Sequence, residues 1–512
     1  MKIKEEIKYD FAIVGSGLGG LQCAYILAQE GYKVVIIEKN RQLGGSLQVF
    51  SRNKHIFDTG VHYIGGLDEG QNLNQFFKYF GIMQNIDFKK LDNDGFDQFK
   101  FKGDDKTYYH GQGFENFENI LIKDFPEEQE AIKAYSKKIR DVVEDFPLYN
   151  LEPELNLDYY NSEYHRISAY EYIKSLTDNE TLQNVLAGSN LLYGGSAGET
   201  PLYMHALIAN SYIESAYRCV GGGSKIAVHL GKQIRHKNGK IITNNAVVSC
   251  NFNTETKEIS SVKLAQGEEI KAEKFIFNIA PKEMIRLVGA DKFKKAFVNR
   301  VNKQTPGISS FSLHLTVKDK SIKYPNYNLY YFDEKNVWDS INYEDENWPT
   351  CALVCVPYSK STTEFTQVIS VLTYMKFEEV AAWKNSVKTD AIKNKRDKSY
   401  LEWKKEKEDK MIDFLEDIYP DIKSQIVNVE SSTPLTYRDY IGNDHGAMYG
   451  IVKDYNNPLK SFMNARTRIP NLFLTGQYLN LHGVLGVTIS AFITCFEFIN
   501  KEKLLEKVKQ AK

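Results

Sequence analysis

The sequence predicts an α/β protein, and three observations support this. Residues 9–15, Tyr-Asp-Phe-Ala-Ile-Val-Gly, form a short apolar run with the character of a buried strand. Gly15-Ser16-Gly17-Leu18-Gly19-Gly20 follows and opens a helical stretch to about Glu30, which Gly31 ends. A second apolar run, Lys33-Val-Val-Ile-Ile-Glu38, closes the unit on an acid.

Strand, glycine turn, helix and strand in this order make the GxGxxG unit of a Rossmann-type dinucleotide-binding domain. Gly15 allows the tight turn, Gly17 lets the backbone approach a pyrophosphate, and Gly20 lets helix and strand pack closely. Ser16, Leu18 and Gly19 complete the turn, whose helix N-terminus offers free N–H groups to phosphates. Glu38 lies 23 positions after Gly15, where its carboxylate is expected to accept both hydroxyls of an adenosine ribose. An acid here, rather than an arginine, argues against a 2′-phosphate.

The downstream residues favour FAD over NAD as the tightly bound cofactor. Lys39 follows Glu38, and Leu43-Gly44-Gly45-Ser46 supplies a second glycine pair that can hug an extended dinucleotide. Near the other end, 470–477 reads as a buried strand ending in Thr475-Gly476-Gln477. Gly483-Val-Leu-Gly486-Val487-Thr then opens an apolar helix over 484–496, too short to cross a membrane. Its N-terminus is suited to face the flavin pyrimidine.

Composition narrows the function classes. A chain of 512 residues suggests two to four domains, and 42% hydrophobic with 26% charged residues excludes disorder as the main state. A net charge of −1 argues against an electrostatic nucleic-acid binder. Aromatics reach 13%, which suits a large apolar or planar ligand as well as an ordinary core. Six cysteines are too few for a disulfide scaffold. Cys351 and Cys355 fall on one face of a strand without histidines at ligand spacing, so buried thiols are expected and no metal. The N-terminus MKIKEEIKYD lacks signal-peptide character, so a cytoplasmic location is expected. The aromatic stretch Asn72–Met83 and the basic tail 501–512, read as a frayed helix end, are candidates for peripheral membrane contact.

Four stretches carry a resemblance over nearly the whole chain. They are the GxGxxG unit through Leu43-Gly-Gly-Ser46 at 9–46, FDTGVHYIGGLDEG at 57–70, 204–230, and 432–450 with 469–492. They resemble the retinol saturase-like branch of the FAD-dependent phytoene desaturase and carotenoid isomerase family. In that family's pattern a cysteine often stands where Ser46 is, and an acid where Tyr478 is. The resemblance implies a glutathione reductase-like FAD domain from 1–66, 215–290 and 465–512, with an α+β substrate domain from 67–214 and 291–464. It also implies that Val247 lies against adenine and that the loop holding His62 lies beside the isoalloxazine.

The remaining segments read coarsely. No internal repeat is visible. Ser224, after Gly221-Gly222-Gly223, is placed to cap a helix, and 240–249 reads as turn and strand. Residues 275–281 read as strand and exit turn, 308–317 and 366–375 as strands, and 378–418 as helices. The basic cluster 393–398 reads as a solvated loop.

The resemblance implies an oxidoreductase acting on a C=C bond of a hydrophobic polyene or isoprenoid lipid. Its alternatives are a carotenoid desaturase, a cis–trans isomerase, an amine oxidase, and a flavin- and lipid-binding protein without catalysis. His62, Tyr63, His205, Tyr478 and His482 are the candidate proton carriers. No second GxGxxG–acid unit is present, so electrons are expected from transient NAD(P)H or a separate redox protein.

Overall fold

The computed structural model describes residues 8–153, 162–333, 336–362, 364–389, 392 and 396–512. Residues 393–395 of the basic cluster and the first seven residues lie outside this set. The opening unit forms as its pattern dictates: β1 (Lys8–Val14), α1 (Leu18–Gln29) and β2 (Val34–Ile37). All four residues of β2 are buried, as expected of a strand covered on both faces.

β1 sits at the centre of a seven-stranded sheet. It pairs in parallel with β2 on one side and with β3 (Glu269–Phe277) on the other. Lys240–Ile242 adds a parallel strand beyond β2, and Leu472–Leu474 pairs in parallel with the end of β3. The strands Val247–Phe252 and Ile259–Leu264 extend the other edge antiparallel. Strands from the first, middle and last parts of the chain thus share one Rossmann-type sheet.

The second large sheet is mostly antiparallel. β4 (Ser309–Val317) lies between Ile426–Ser432 and Val368–Met375, followed in order by Cys351–Cys355, Asn328–Phe332, Asp97–Phe101 and Thr107–His110. Every residue of β4 is buried. Cys351 and Cys355 are buried free thiols of one strand. The region read as helical over 378–418 resolves into a short 3₁₀ stretch, Phe377–Trp383, and the helix Lys398–Glu416.

Several local expectations change. The helix Ser224–His236 starts on Gly223, and Ser224 makes no cap. Asp58 Oδ1 instead accepts the Gly223 N–H at 2.8 Å. The stretch from Asn72 becomes α2 (Asn72–Tyr79), with Leu73, Phe76 and Phe77 buried. Phe76 and Tyr79 meet Phe492 of α3 (Gly483–Cys495) at ring-centroid distances of 4.8 and 5.9 Å. The tail is not frayed: it forms α4 (Lys501–Lys509), buries Leu504, Leu505 and Val508, and accepts a bond from Gln75 of α2 at the Val508 carbonyl. The aromatic face of α2 is therefore covered by the chain's own C-terminal helices, which removes it as a membrane face. No helix among the described residues is long and apolar enough to cross a membrane.

Burial leaves six histidines hard to protonate. His62, His165, His205 and His482 are pushed down to about 4, and His110 and His314 to about 3. The unfolded chain takes these protons near pH 6.5, while the native chain refuses them until pH 3–4. Four acids, Asp58, Asp97, Glu199 and Glu214, are pushed up by burial and act in the opposite sense. The histidines outnumber them. Each neutral buried ring costs up to about 1.4 kcal/mol per pH unit across its window. The thermal unfolding midpoint should therefore fall as pH drops from about 6.5 to 4. Calorimetry over that range checks this; a midpoint that rises on acidification would contradict it.

Candidate functional site

The carboxyl ends of the parallel strands in the first sheet open onto a cavity of about 510 Å³. The second sheet forms part of its opposite wall. Ligands of open parallel sheets bind at this position.

At one end, Gly15, Gly17, Leu18 and Gly19 line the cavity. Gly20 does not: a Cβ there would lie 2.2 Å from the Gly15 carbonyl oxygen, so its role is to let α1 close onto the turn. α1 begins at Gly17 with no side-chain cap, so its first amides remain free toward the cavity. Gly44, Gly45 and Ser46 line the facing side, and Gly44 N–H donates to the Ser16 carbonyl at 2.9 Å.

Ser16 itself is wholly buried and turned to Glu38. Its N–H and hydroxyl both donate to Glu38 Oε2, at 2.9 and 2.6 Å, and Asn40 N–H donates to Oε1 at 2.8 Å. A carboxylate has about four acceptor sites. Three are filled here, so the expected pair of ribose hydroxyls reduces to one. Lys39 lines the same end, but its ammonium donates to the Asp439 carbonyl at 2.9 Å. Asn40 Nδ2 reaches the Tyr440 carbonyl at 2.9 Å. These bonds tie β2 to the helix Pro434–Ile441, which is held by a buried Arg396–Asp439 pair at 2.6 Å. Val247 lines the cavity beyond Glu38.

The C-terminal element meets the glycine turn from the other side. Gly476 has φ +97°, and a Cβ on it would lie 2.4 Å from Asn278 Oδ1. Gln477 and Val487 line the cavity, whereas Gly486 packs against Leu481. α3, like α1, starts without a side-chain cap, and its first residues Gly483 and Val484 face the cavity. Two uncapped helix N-termini therefore converge on one space, each presenting free N–H groups and partial positive charge.

The far end is largely apolar, with Leu191, Leu192, Leu353, Leu372 and Met448 in its wall. The candidate proton carriers are placed unequally there. Tyr63 lines the cavity, but its hydroxyl donates to Asp97 Oδ2 at 2.9 Å and pairs with the Tyr330 hydroxyl at 2.6 Å. The Tyr478 hydroxyl donates to Asn443 Oδ1 at 3.0 Å. His482 Nε2 is 3.2 Å from the Leu192 carbonyl, and its ring lies 4.4 Å from that of Tyr449. His205 is outside the cavity, with its ring nitrogens 2.9 and 2.8 Å from the Tyr135 and Tyr193 hydroxyls. His62 differs from all of these. It lines the cavity, and both of its ring nitrogens are buried without a partner. Its loop is pinned on both sides, at Thr59 by Gln48 and Tyr437 and at Tyr63 by Asp97.

Sequence reasoning did not find Asn278 or Ser310. Asn278 is the polar residue at the carboxyl end of β3, a position where α/β sheets place ligand-side groups. Ser310 gave no signal, because a serine inside a strand is usually filler. The glycine cradle, the two helix ends and the acid with one open acceptor site together fit an extended dinucleotide.

Comparison with known proteins agrees. Residues 13–80 match the model of an NAD(P)-binding Rossmann-like domain. Over 98% of its length the chain is 28% identical to an all-trans-retinol 13,14-reductase from Danio rerio, of which it covers 88%. Over 92% of its length it is 26% identical to a chloroplastic prolycopene isomerase from Daucus carota, of which it covers 76%. The solved structure of cyclohexylamine oxidase from Brevibacterium oxydans superposes with a TM-score of 0.59 at 13% identity, over 98% of this chain and all of that one. That last likeness is one of fold. Similarity to both kinds of relative along nearly the full length, on the fold just described, fits the retinol saturase branch of the phytoene desaturase and carotenoid isomerase family.

Proposed function

We propose that the protein is an FAD-dependent oxidoreductase that reduces a C=C bond of a hydrophobic polyene or isoprenoid lipid. The observation that carries this is the single cavity running from Glu38, past two uncapped helix N-termini, to an apolar end. In this reading 1–66, 215–290 and 465–512 hold the cofactor, and 67–214 and 291–464 hold the substrate. FAD, when bound, supplies two-electron chemistry at its ring. Electrons come from transiently bound NAD(P)H or a separate redox protein.

The chain's own residues divide the remaining work. Glu38 accepts a ribose hydroxyl, and the first turn of α1 holds phosphate oxygens. The first turn of α3 favours negative charge at the ring end of the cavity. The apolar wall excludes water and aligns the polyene. His62 carries the proton, because its nitrogens are free while the Tyr63 and Tyr478 hydroxyls are bonded elsewhere. The similarity to a prolycopene isomerase favours one second reading, isomerisation without net electron flow.

Five outcomes are expected. Purified protein should show flavin absorbance bands. After anaerobic reduction, a polyene extract should reoxidise it with a product heavier by two hydrogens. Product of unchanged mass would favour the isomerase, and no flavin even after refolding with FAD would sink the reading. Glu38→Ala should weaken FAD binding about tenfold or more, read by dialysis, since it removes both the ribose acceptor and the Ser16 anchor. His62→Asn should keep its FAD but turn over about a hundredfold slower. The His62-linked part of wild-type turnover should rise as pH falls toward about 4, where the ring becomes protonated and able to donate. Full activity in His62→Asn would remove the residue from the chemistry.

A further inference from the structure

Among the described residues Arg218 is the largest side chain that is wholly buried. It projects from the strand Ala216–Cys219, and its four hydrogen bonds all go to neutral groups. One guanidinium nitrogen donates to the Tyr324 hydroxyl at 2.7 Å and the Pro325 carbonyl at 3.1 Å. The other donates to the Tyr327 carbonyl at 2.7 Å and Asn328 Oδ1 at 2.9 Å. Its Nε is buried without a partner. A buried guanidinium with no carboxylate in contact is costly, so charges further off must offset it.

Two buried acids supply that offset. Asn328 links Arg218 to Asp97, because its Nδ2 donates to Asp97 Oδ1 at 2.9 Å. The Tyr63 hydroxyl donates to the other oxygen of Asp97 at 2.9 Å. Asp58 Oδ1 accepts the Gly223 N–H at 2.8 Å. Burial pushes the Asp58 and Asp97 carboxyls up, to about 6 and about 7, and the Arg218 charge pulls both back. The loop from Asp58 to Tyr63 thus has a buried acid at each end, and both acids face one cation. His62 lies between them. Burial is the larger cause that keeps its ring neutral, and Arg218 adds to it. His314 of β4 also faces His62 and stays neutral down to about 3.

We propose that Arg218 is a positioning residue for His62: one buried guanidinium holds both acids that anchor the Asp58–Tyr63 loop and opposes positive charge on the ring between them. This rests on the reading of His62 as proton carrier and names what sets its acidity. A ring that takes a proton reluctantly gives it up readily, as protonation of a carbon requires. Near pH 4 both acids are neutral, and among the described residues Arg218 is the charged group that acts on His62.

The test uses FAD-loaded full-length protein and reads the proton on His62 directly, by nitrogen NMR of labelled histidine, with His62→Asn identifying the signal. The wild-type ring should titrate near about 4. Arg218→Met should move that value up by about one pH unit, and Arg218→Lys, which keeps the charge, should leave it as in wild type. Asn328→Asp leaves Arg218 in place and sets a carboxylate against it. This variant should shift His62 upward as Arg218→Met does, and it carries the test if Arg218→Met fails to fold. The rise of turnover at low pH should follow the ring in each variant. No shift in Asn328→Asp, or equal shifts in Arg218→Met and Arg218→Lys, would overturn the proposal and leave Arg218 a packing residue. Full activity in His62→Asn would instead remove the proton-carrier reading while the titration shifts still stood.

Discussion

The close approach of backbone and Asn278 at the mouth of the first sheet is the constraint on which the site depends. A Cβ on Gly17 would lie 2.8 Å from Asn278 Nδ2, and one on Gly19 would lie 3.2 Å from the Gly476 Cα. Two turns more than 450 residues apart in sequence are thus held together with no room for side chains between them. Gln22 of α1 donates to Thr488 of α3 at 2.8 Å, which fixes the two helices side by side. Only because these turns are bare can both helix N-termini face the same cavity. A larger residue at either turn would separate the ends and split the positive potential they share.

The opposite wall follows a different rule. The second sheet supplies shape and dryness, and most of its buried polar groups are paired with one another, Ser310 and Thr316 excepted. Asp97 accepts from Tyr63 and from Asn328, whose oxygen in turn accepts from the buried Arg218. Such pairing is what lets charged and polar groups stay in a low-dielectric interior. Against that background an unpaired atom is informative. His62 owes its position to anchors on either side of it, so the loop delivers a free imidazole to the apolar end of the cavity.

The sequence made some elements legible and hid others for specific reasons. β1, α1 and β2 were readable because strand periodicity, glycine spacing and the terminal acid are all local. The same locality misled at Ser224, where Asp58, 166 residues earlier in the chain, takes the capping role. It misled at Glu38 as well, because the bonds from Ser16 that fill its acceptor sites exist only once the turn has closed. The aromatic face on Asn72–Tyr79 and the apolar residues of the tail looked like separate surface features. They are two halves of one packed interface.

The sequence by itself determined the Rossmann-type unit, the glycine positions and the apolar helix near the C-terminus. Each of these is encoded by residues within one turn or one strand of each other. Which proton carriers remain free was decided only by the tertiary structure. His62, Tyr63, Tyr478 and His482 are equivalent as residue types near motifs. The folded chain then bonds Tyr63 to Asp97, Tyr478 to Asn443 and His482 to the Leu192 carbonyl, each across a long span of sequence. Hydrogen-bond partners of that kind are chosen by packing, and no local pattern of the chain contains them.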